Sequence, residues 1–269
     1  MLYAVFGRPI EHSRSPFIHQ QFAQQEGVDL RYEKRLVSGT LSESWSEFLQ
    51  EGGTGANVTV PCKTEAFDLC DELSGRALAA GAVNTLFFRQ PENICYGDNT
   101  DGIGLVRDIA RLGVDLRDKK ILLYGAGGAV RGVLSPLLQA GAKITITNRT
   151  FSKAQNLADN FPVQAVSFDK LEAEFDVIIN GTSASLSAQT LPLADDIFAH
   201  AYLAYDMVYG AVDTPFIAQA KRAGVYMTAD GSGMLVEQAA ASYALWRNFT
   251  PQTAPVLRLL QEQLRHEAA

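Results

Sequence analysis

Cysteine is scarce in this chain of 269 residues, which contains three. Cys62, Cys70 and Cys95 are odd in number and include no C-x-x-C pair, so the sequence does not predict a disulfide framework. Small extracellular domains commonly depend on such a framework, whereas cytoplasmic proteins keep their thiols reduced. The cysteines therefore favour a cytoplasmic protein with free thiols.

Histidine and long apolar runs are also lacking. His19, His200 and His266 are isolated, without the spacing of metal ligands, so we interpret them as structural or surface residues and expect no metal site. No stretch approaches the roughly 20 apolar residues that cross a membrane, and the N-terminus lacks the basic lead and cleavage site of a signal peptide. We expect a cytoplasmic protein without a membrane partner.

An excess of positive charge is missing as well. The formal net charge is −7 at pH 7, so no global charge attracts a phosphate backbone. This balance argues against a general nucleic-acid-binding protein and leaves only a local basic patch open.

Strand-like and helix-like segments alternate along the whole chain, which favours an α/β fold with mostly parallel sheets. Strands are predicted at residues 2–6, 30–37, 55–60, 83–89, 120–124, 143–147, 176–180, 203–206 and 225–228. Helices are predicted at residues 16–26, 41–50, 63–70, 101–112, 128–140, 152–160, 213–223, 233–248 and 252–265.

A glycine-rich turn joins a strand to a helix in the middle of the chain. The segment Ile121–Ala129 reads Ile-Leu-Leu-Tyr-Gly-Ala-Gly-Gly-Ala, an arrangement that brings backbone N–H groups and a helix N-terminus up to a phosphate. A tight turn without a ligand is the alternative, and Val130 stands where the dinucleotide fingerprint has a small residue. No Gly-Lys-Ser/Thr follows the glycines, which excludes a P-loop.

The end of the next predicted strand distinguishes between two cofactors. An NAD site usually has an acidic residue about 20 residues past the glycines, to bond the ribose 2′-hydroxyl. This chain has Arg149 there, with Lys153 one helical turn further. Positive charge suits a 2′-phosphate, so the sequence predicts NADP and hydride transfer.

Two serines precede the first predicted helix. Ser15 is followed by Pro16, which suits the first helical position, so Ser15 is predicted to be the N-cap. Ser13 shares a side with Ser15 if the chain is extended, and two hydroxyls beside a helix N-terminus suit a carboxylate. From this segment alone, capping is the better interpretation.

The segment Asn57–Lys63 carries polar groups to the end of a predicted strand. Alternation puts Asn57 and Thr59 on one face, and Pro61 ends the strand just before Lys63. Loops at such strand ends commonly carry functional groups. A solvated lysine is the alternative, although a cation in the first turn of a helix is unfavourable.

Asp101, which begins the predicted helix 101–112, is best interpreted as an N-cap when it is taken alone.

Together these segments resemble the shikimate dehydrogenase family, whose members interconvert shikimate and 3-dehydroshikimate. The motifs run in order through nearly the whole chain. They are Ser13-x-Ser15-Pro16, Asn57-Val58-Thr59-Val60-Pro61-x-Lys63, Gly81-Ala82-Val83-Asn84-Thr85, Asn99-Thr100-Asp101-Gly102, Gly125-Ala126-Gly127-Gly128-Ala129, Asn148-Arg149-Thr150 and Asp230-Gly231-x-Gly233-Met234-Leu235-x-x-Gln238.

The resemblance implies two α/β lobes with the active site in the cleft between them. A substrate domain would comprise residues 1–101 and 237–269, and a Rossmann-type NADP domain would comprise residues 102–236, with the C-terminal helices packed on the first lobe. The implied activity is the reversible NADPH-dependent reduction of 3-dehydroshikimate to shikimate, on the route to chorismate and aromatic amino acids. A quinate/shikimate dehydrogenase with broader substrate or NAD use, and a non-catalytic NADP-binding regulator, are the alternatives.

The resemblance also implies that the protein is a monomer or homodimer. It further implies roles for particular residues. Lys63 and Asp101 would be catalytic. Substrate would be bound by Ser13, Ser15, Asn57, Thr59, Lys63, Asn84, Asp101, Tyr209 and Gln238. NADP would be bound by Gly125, Ala126, Gly127, Gly128, Ala129, Asn148, Arg149, Thr150, Lys153, Met207 and Gly231.

Overall fold

A computed structural model of the chain describes residues 1–182, 184 and 191–267. The chain divides into two compact units. The first contains Met1–Gly104 and Val236–Arg258, and the second contains Leu105–Leu235 and the residues from Leu259 onward. Within the described residues, no helix is both long and apolar enough to span a bilayer.

Helices and strands alternate as the sequence predicts. The helices of the described residues are α1 (Ser15–Glu26), α2 (Leu41–Gln50), α3 (Lys63–Leu69), α4 (Gly75–Ala80), α5 (Asp101–Arg111), α6 (Gly128–Gln139), α7 (Phe151–Ala158), α8 (Pro215–Arg222), α9 (Ser232–Arg247) and α10 (Thr253–Glu267). The strands are β1 (Leu2–Gly7), β2 (Arg31–Leu36), β3 (Gly53–Val58), β4 (Glu72–Leu73), β5 (Thr85–Arg89), β6 (Ile94–Asp98), β7 (Lys120–Tyr124), β8 (Lys143–Thr147), β9 (Gln164–Ala165), β10 (Val177–Asn180), β11 (Leu203–Asp206) and β12 (Met227–Ala229).

The sheet of the first unit has the strand order β2-β1-β3-β5-β6-β4. Its pairings are parallel except those of β3 with β5 and of β5 with β6. The short connection between β5 and β6 allows only an antiparallel pair, and it contains Pro91 and Asn93, the latter at φ 56°. This sheet is therefore mixed, but most strand pairings within the described residues are parallel, as the sequence predicts.

Side chains of β1 alternate between two packed layers. Phe6 lies on one face, where its ring meets Phe48 of α2 edge-on at 5.5 Å. Tyr3 lies on the other face and stacks on Trp246 of α9 at 4.9 Å. The part of α9 that belongs to the first unit therefore covers this sheet, as the predicted packing of a C-terminal helix on the first lobe requires.

The sheet of the second unit is parallel throughout, in the order β12-β11-β10-β7-β8-β9. Counted from β7, this is the doubly wound order 3-2-1-4-5-6, whose direction reverses between β7 and β10. Ligands bind such sheets outside the carboxyl ends of the strands at that reversal. The α/β prediction with a Rossmann-type half is confirmed.

Strand β7 shows why its sequence is almost continuously apolar. Ile121 and Leu123 belong to one core cluster, and Leu122 and Tyr124 belong to a second cluster on the opposite face. A parallel strand covered on both sides needs apolar residues at every position, so the run before the glycines marks a central strand.

The last helix is divided between the units. The sequence prediction assigns all of residues 237–269 to the first domain, but the residues from Leu259 onward group with the second unit. There Gln261 Nε2 lies 3.4 Å from Ser232 Oγ at the start of α9. Contacts of this kind join distant segments, so helical periodicity does not reveal them.

Candidate functional site

Lys63 and Asp101 form the centre of a polar cluster in the first unit. Lys63 Nζ lies 2.5 Å from Asp101 Oδ2, and the two side chains are 23% and 12% exposed. Each residue begins a helix, α3 and α5 respectively. The carboxylate offsets the unfavourable position of the Lys63 charge at the N-terminus of α3.

The predicted N-cap role of Asp101 is wrong, because Asp101 is the first residue within α5. Its backbone N–H donates to Asn99 Oδ1 at 3.2 Å. The Asp101 carboxylate binds side chains of the cluster, Lys63 and Asn84.

Asn84 and Gln238 extend the cluster. Asn84 Nδ2 donates to Asp101 Oδ1 at 2.8 Å and lies 3.3 Å from Gln238 Oε1. Asn84 is 2% exposed and Gln238 is 9% exposed. The two oxygens of Asp101 are therefore held by different partners, Lys63 and Asn84, which fixes the plane of the carboxylate.

Asn57 is buried beside this cluster and has partners on both atoms of its amide. Its Oδ1 accepts from Tyr32 at 2.7 Å and lies 3.0 Å from His19 Nε2. Its Nδ2 donates to Ser242 Oγ at 2.9 Å and to the backbone oxygen of Asn84 at 3.2 Å. Asn57 thereby links four segments of the first unit.

The two serines lie at the start of α1, but Ser15 is not its N-cap. Arg14 takes that position with helical backbone angles, so Ser15 is the first helical residue and the predicted boundary is one residue late. Ser13 Oγ accepts from the Ser15 backbone N–H at 3.3 Å. Burial raises the pKa of the neighbouring Tyr32, and the Ser15 side chain opposes that shift.

Thr59 lies beyond the end of its strand. The prediction extends that strand to residue 60, but β3 ends at Val58. The Thr59 N–H still donates to Phe6 O at 2.9 Å, so Thr59 stays attached to the sheet and half-buried. Tyr209 is also half-buried and belongs to the second unit.

Five polar residues of the cluster were not predicted to be site residues, although two of them, Thr85 and Thr100, stand in the quoted motifs: His19, Tyr32, Thr85, Thr100 and Ser242. Helical spacing offers a signal for two of them. His19 follows Ser15, and Ser242 follows Gln238, by one turn on the same helix face. A polar residue one turn from a motif residue, on the buried side of a helix, is a candidate for the same network.

The stability of the first unit is expected to depend on pH through His19. Burial lowers the pKa of His19 from 6.5 to about 3, and the hydrogen bond with Asn57, which acts to raise the pKa, offsets only part of this effect. Between these values the unfolded chain binds a proton that the folded chain does not, so stability falls as the pH falls below 6.5. We expect His19 to make the free energy of unfolding about 2 kcal/mol smaller at pH 5 than at pH 7.

Denaturant unfolding of the wild-type protein and a His19→Gln variant at both pH values measures this effect. Glutamine keeps an amide donor for Asn57 but does not ionise in this range, so the variant is expected to lose that part of the pH dependence. The same pH dependence in both proteins would contradict a depressed His19 pKa.

The glycine-rich turn of the second unit contains a close contact that accommodates Val130. Gly125 has φ +122°, a conformation that side chains rarely adopt. A Cβ on Gly181 would lie 2.4 Å from Val130 Cγ2, and one on Gly125 would lie 3.1 Å from it. Val130 therefore fills space that two glycines leave empty, and helix α6 packs closely despite the larger residue.

The rest of this turn is open. A Cβ on Gly127 or Gly128 would meet no atom within 4 Å. Gly127 is the N-cap of α6 and offers no side-chain hydrogen bond to the first-turn N–H groups. Unpaired N–H donors facing open space fit a pyrophosphate, so the turn from Gly125 to Ala129 suits a dinucleotide.

The carboxyl end of β8 supplies positive charge. Arg149 and Lys153 are exposed, and within the described part of the chain neither has a salt bridge. Burial raises the pKa of Tyr124 at the end of β7, and the nearby charge of Arg149 opposes that shift. Asn148 Nδ2 donates to the backbone oxygen of Thr150 at 2.9 Å, which shapes the turn that carries Arg149.

Met207 and Gly231 meet near the same edge of the second sheet. Met207 follows β11, and its N–H donates to Asn180 O at the end of β10. A Cβ on Gly231 would lie 2.2 Å from the backbone oxygen of Met207, so only glycine allows this approach.

In the described ranges, no group of three or more His, Cys, Asp or Glu residues could hold a metal ion.

Comparison with family models matches three parts of the chain. The shikimate dehydrogenase substrate binding domain matches residues 5–86. The model described as shikimate / quinate 5-dehydrogenase matches residues 106–191. The shikimate 5′-dehydrogenase C-terminal domain matches residues 231–261.

Similar proteins match nearly the full length. A curated protein from Dechloromonas aromatica (strain RCB), named shikimate dehydrogenase (NADP(+)), is 52% identical and covers 98% of each chain. The crystal structure of an Ael1 enzyme from Pseudomonas putida has a TM-score of 0.90 at 44% identity, over 96% of this chain and 97% of that one. The shikimate 5-dehydrogenase from Thermus thermophilus in complex with NADP(H) and shikimate has a TM-score of 0.88 at 31% identity, over 97% and 99%.

Proposed function

The chain belongs to the shikimate dehydrogenase family of NADP-dependent oxidoreductases, and from this premise we propose that it catalyses the reversible NADPH-dependent reduction of 3-dehydroshikimate to shikimate. The reaction is a step on the route to chorismate and aromatic amino acids. The observation that carries the proposal is the Lys63–Asp101 pair, with 2.5 Å between Nζ and Oδ2.

The reduction adds a hydride to the carbonyl carbon and a proton to its oxygen. When bound, NADPH supplies the hydride. Lys63 donates the proton to the oxygen, and in the reverse direction its amine accepts the proton of the substrate hydroxyl. Asp101 positions Nζ and the hydroxyl, while Asn84 keeps the Asp101 carboxylate in place.

The substrate is proposed to bind through its carboxylate and ring hydroxyls. Ser13 and Ser15 stand at the N-terminus of α1, where hydroxyls and the helix dipole favour an anion. The proposed contacts to the ring and its substituents come from Asn57, Thr59, Asn84, Gln238 and Tyr209.

The cofactor is proposed to bind along the carboxyl edge of the second sheet. The open turn Gly125–Ala129 fits the pyrophosphate, and Arg149 and Lys153 supply charge for the 2′-phosphate. The hydrogen bond between Asn148 and Thr150 shapes the loop that carries Arg149. Met207 and Gly231 pack closely against each other near the end of β11.

Absorbance at the reduced-nicotinamide band tests the function directly. With purified protein, 3-dehydroshikimate is expected to consume NADPH, and shikimate is expected to reduce NADP. Comparable rates with quinate or NAD would favour the broader quinate/shikimate enzyme, which remains the nearest alternative. No turnover with either acid would overturn the proposal and favour a non-catalytic NADP-binding regulator.

We also propose that the enzyme works in the cytoplasm as a monomer or homodimer on small molecules. Free thiols support this location, because Cys62, Cys70 and Cys95 are unbridged.

A further inference from the structure

Asp108 is a buried carboxylate of the second unit that the proposed reaction does not use. It lies on α5 and is 1% exposed. Its Oδ2 accepts from the Tyr205 hydroxyl at 2.7 Å. Its Oδ1 accepts from Arg111 Nε, one turn further along the helix, at 2.8 Å. Burying a charge is costly unless such partners compensate it, and here they hold the carboxylate between α5 and β11.

The carboxylate lies against the first turn of α9. A Cβ on Gly233 would overlap it, so glycine is the residue that lets the helix approach. The Met234 N–H donates to the Tyr205 hydroxyl at 3.3 Å, which gives a partner to one of the N–H groups that the start of a helix leaves unpaired. Negative charge at a helix N-terminus is also favourable. Asp108 and Tyr205 together therefore fix the start of α9.

The Met234 N–H determines the direction of these hydrogen bonds. Because a backbone N–H only donates, the Tyr205 oxygen accepts from it, and the phenol gives its own proton to Asp108. Burial raises the pKa of Tyr205 well above 10, and the charge of Asp108 raises it further. The Tyr205 hydroxyl therefore keeps its proton at neutral pH, and both bonds persist.

Gly231 stands just before this turn and depends on it for its position. Its carbonyl oxygen accepts from the Leu235 N–H at 2.9 Å, and its own N–H donates to the backbone oxygen of Val208 at 3.1 Å. Its Cα packs against the Met207 backbone, where a Cβ would overlap the Met207 oxygen. A shift of the first turn of α9 would therefore open the contact between Gly231 and Met207.

The topology of the second sheet indicates which half of the cofactor this contact faces. A dinucleotide lies across the reversal of strand order, which is between β7 and β10. Arg149 follows β8 and is proposed to bind the 2′-phosphate, which assigns the adenosine half to that side. Met207 follows β11, on the other side of the reversal, so the nicotinamide half is expected there.

We propose that Asp108 and Tyr205 are positioning residues that hold the first turn of α9 where Gly231 and Met207 fit the nicotinamide half of NADP. The inference rests on the proposed function, because it requires Gly231 and Met207 to contact the cofactor. Asp108 and Tyr205 are both buried, so they act through the backbone of α9 and not by touching the cofactor.

A Tyr205→Phe variant keeps the ring and removes the hydroxyl that joins Asp108 to Met234. We expect its affinity for NADP to fall about 3- to 10-fold, the equivalent of one uncharged hydrogen bond. Its affinity for adenosine 2′,5′-bisphosphate, which lacks the nicotinamide half, is expected to stay within about twofold. Calorimetric titration of both ligands measures this selectivity, which a general loss of folding would not produce.

Two further variants make the test specific. Tyr226→Phe removes a hydroxyl from the same unit, just before β12, where Tyr226 is 76% exposed, and it should leave both affinities unchanged. Gly233→Ala displaces the first turn of α9 from Asp108 without removing a hydrogen-bonding group. It should show the same selective loss as Tyr205→Phe.

An equal loss for both ligands in Tyr205→Phe, or full NADP affinity in either Tyr205→Phe or Gly233→Ala, would overturn this inference while wild-type turnover of 3-dehydroshikimate upholds the proposed function. Absence of that turnover in a protein that binds NADP would overturn the proposed function. The selective loss would still decide this inference, since calorimetry requires no catalysis. A wild-type protein that does not bind NADP would overturn both.

Discussion

Replacing Lys63 with alanine is expected to lower kcat by about a hundredfold or more, the usual range for loss of a general acid–base group. The proton that reaches the carbonyl oxygen would then come from water, while the hydride step keeps its geometry. Initial rates of NADPH oxidation at saturating 3-dehydroshikimate measure the effect. The KM is expected to change much less than kcat, because the serines that are proposed to hold the carboxylate are unaffected.

Lys221→Ala provides the matched control. Lys221 Nζ lies 2.6 Å from Asp213 Oδ2, so the pair resembles Lys63–Asp101 in chemistry and distance, but its two side chains are 52% and 49% exposed. An exposed pair contributes little, and this variant should turn over like wild type. Near-wild-type kcat for Lys63→Ala, in a protein that unfolds at the wild-type temperature, would remove Lys63 from the mechanism.

The second sheet could be predicted closely from the sequence. Strands β7, β8 and β11 have the predicted bounds, because parallel strands buried on both faces are short apolar runs between turn residues. The helices between these strands could be predicted from the sequence in the same way. The prediction of NADP, made from Arg149, agrees with the family, whereas the contact that Arg149 makes stays a prediction.

Short elements of the first unit could not be predicted. Strand β4 has two residues, Glu72 and Leu73, and exists because they pair with Tyr96 and Gly97 of β6. Strand β6 is itself defined by its antiparallel pairing with β5. Such strands owe their conformation to a partner that is distant in the sequence or follows a turn, which local propensity does not reveal.

The site shows the same division between local and distant information. Lys63 could be placed at a strand end from Pro61 alone, but its contact with Asp101 joins residues 38 positions apart. The contact of Asn57 with Ser242 spans 185 positions. Periodicity assigns a residue to a face of its own element, and only packing determines which other element that face meets.

Arg149→Ala is expected to raise the KM for NADPH about 10- to 100-fold while leaving the KM for NADH unchanged. A hydrogen bond to a charged group contributes about 1.5–3 kcal/mol, and only NADPH carries the 2′-phosphate that would receive it. Because Arg149 is exposed, added salt should shrink the difference by screening. Calorimetric binding of adenosine 2′,5′-bisphosphate and of ADP measures the same preference without turnover.

Arg222→Ala is the control for this experiment, since Arg222 is exposed in the last turn of α8 in the same unit and its replacement removes the same charge. It should leave both cofactor constants unchanged, which separates a local contact from an effect of net charge. An equal loss for NADPH and NADH in Arg149→Ala would mean that Arg149 serves a part common to both cofactors. Loss of NADPH preference only when Lys153 is also replaced would instead assign the 2′-phosphate to the two cations together, since Lys153 lies one turn beyond Arg149 at the start of α7.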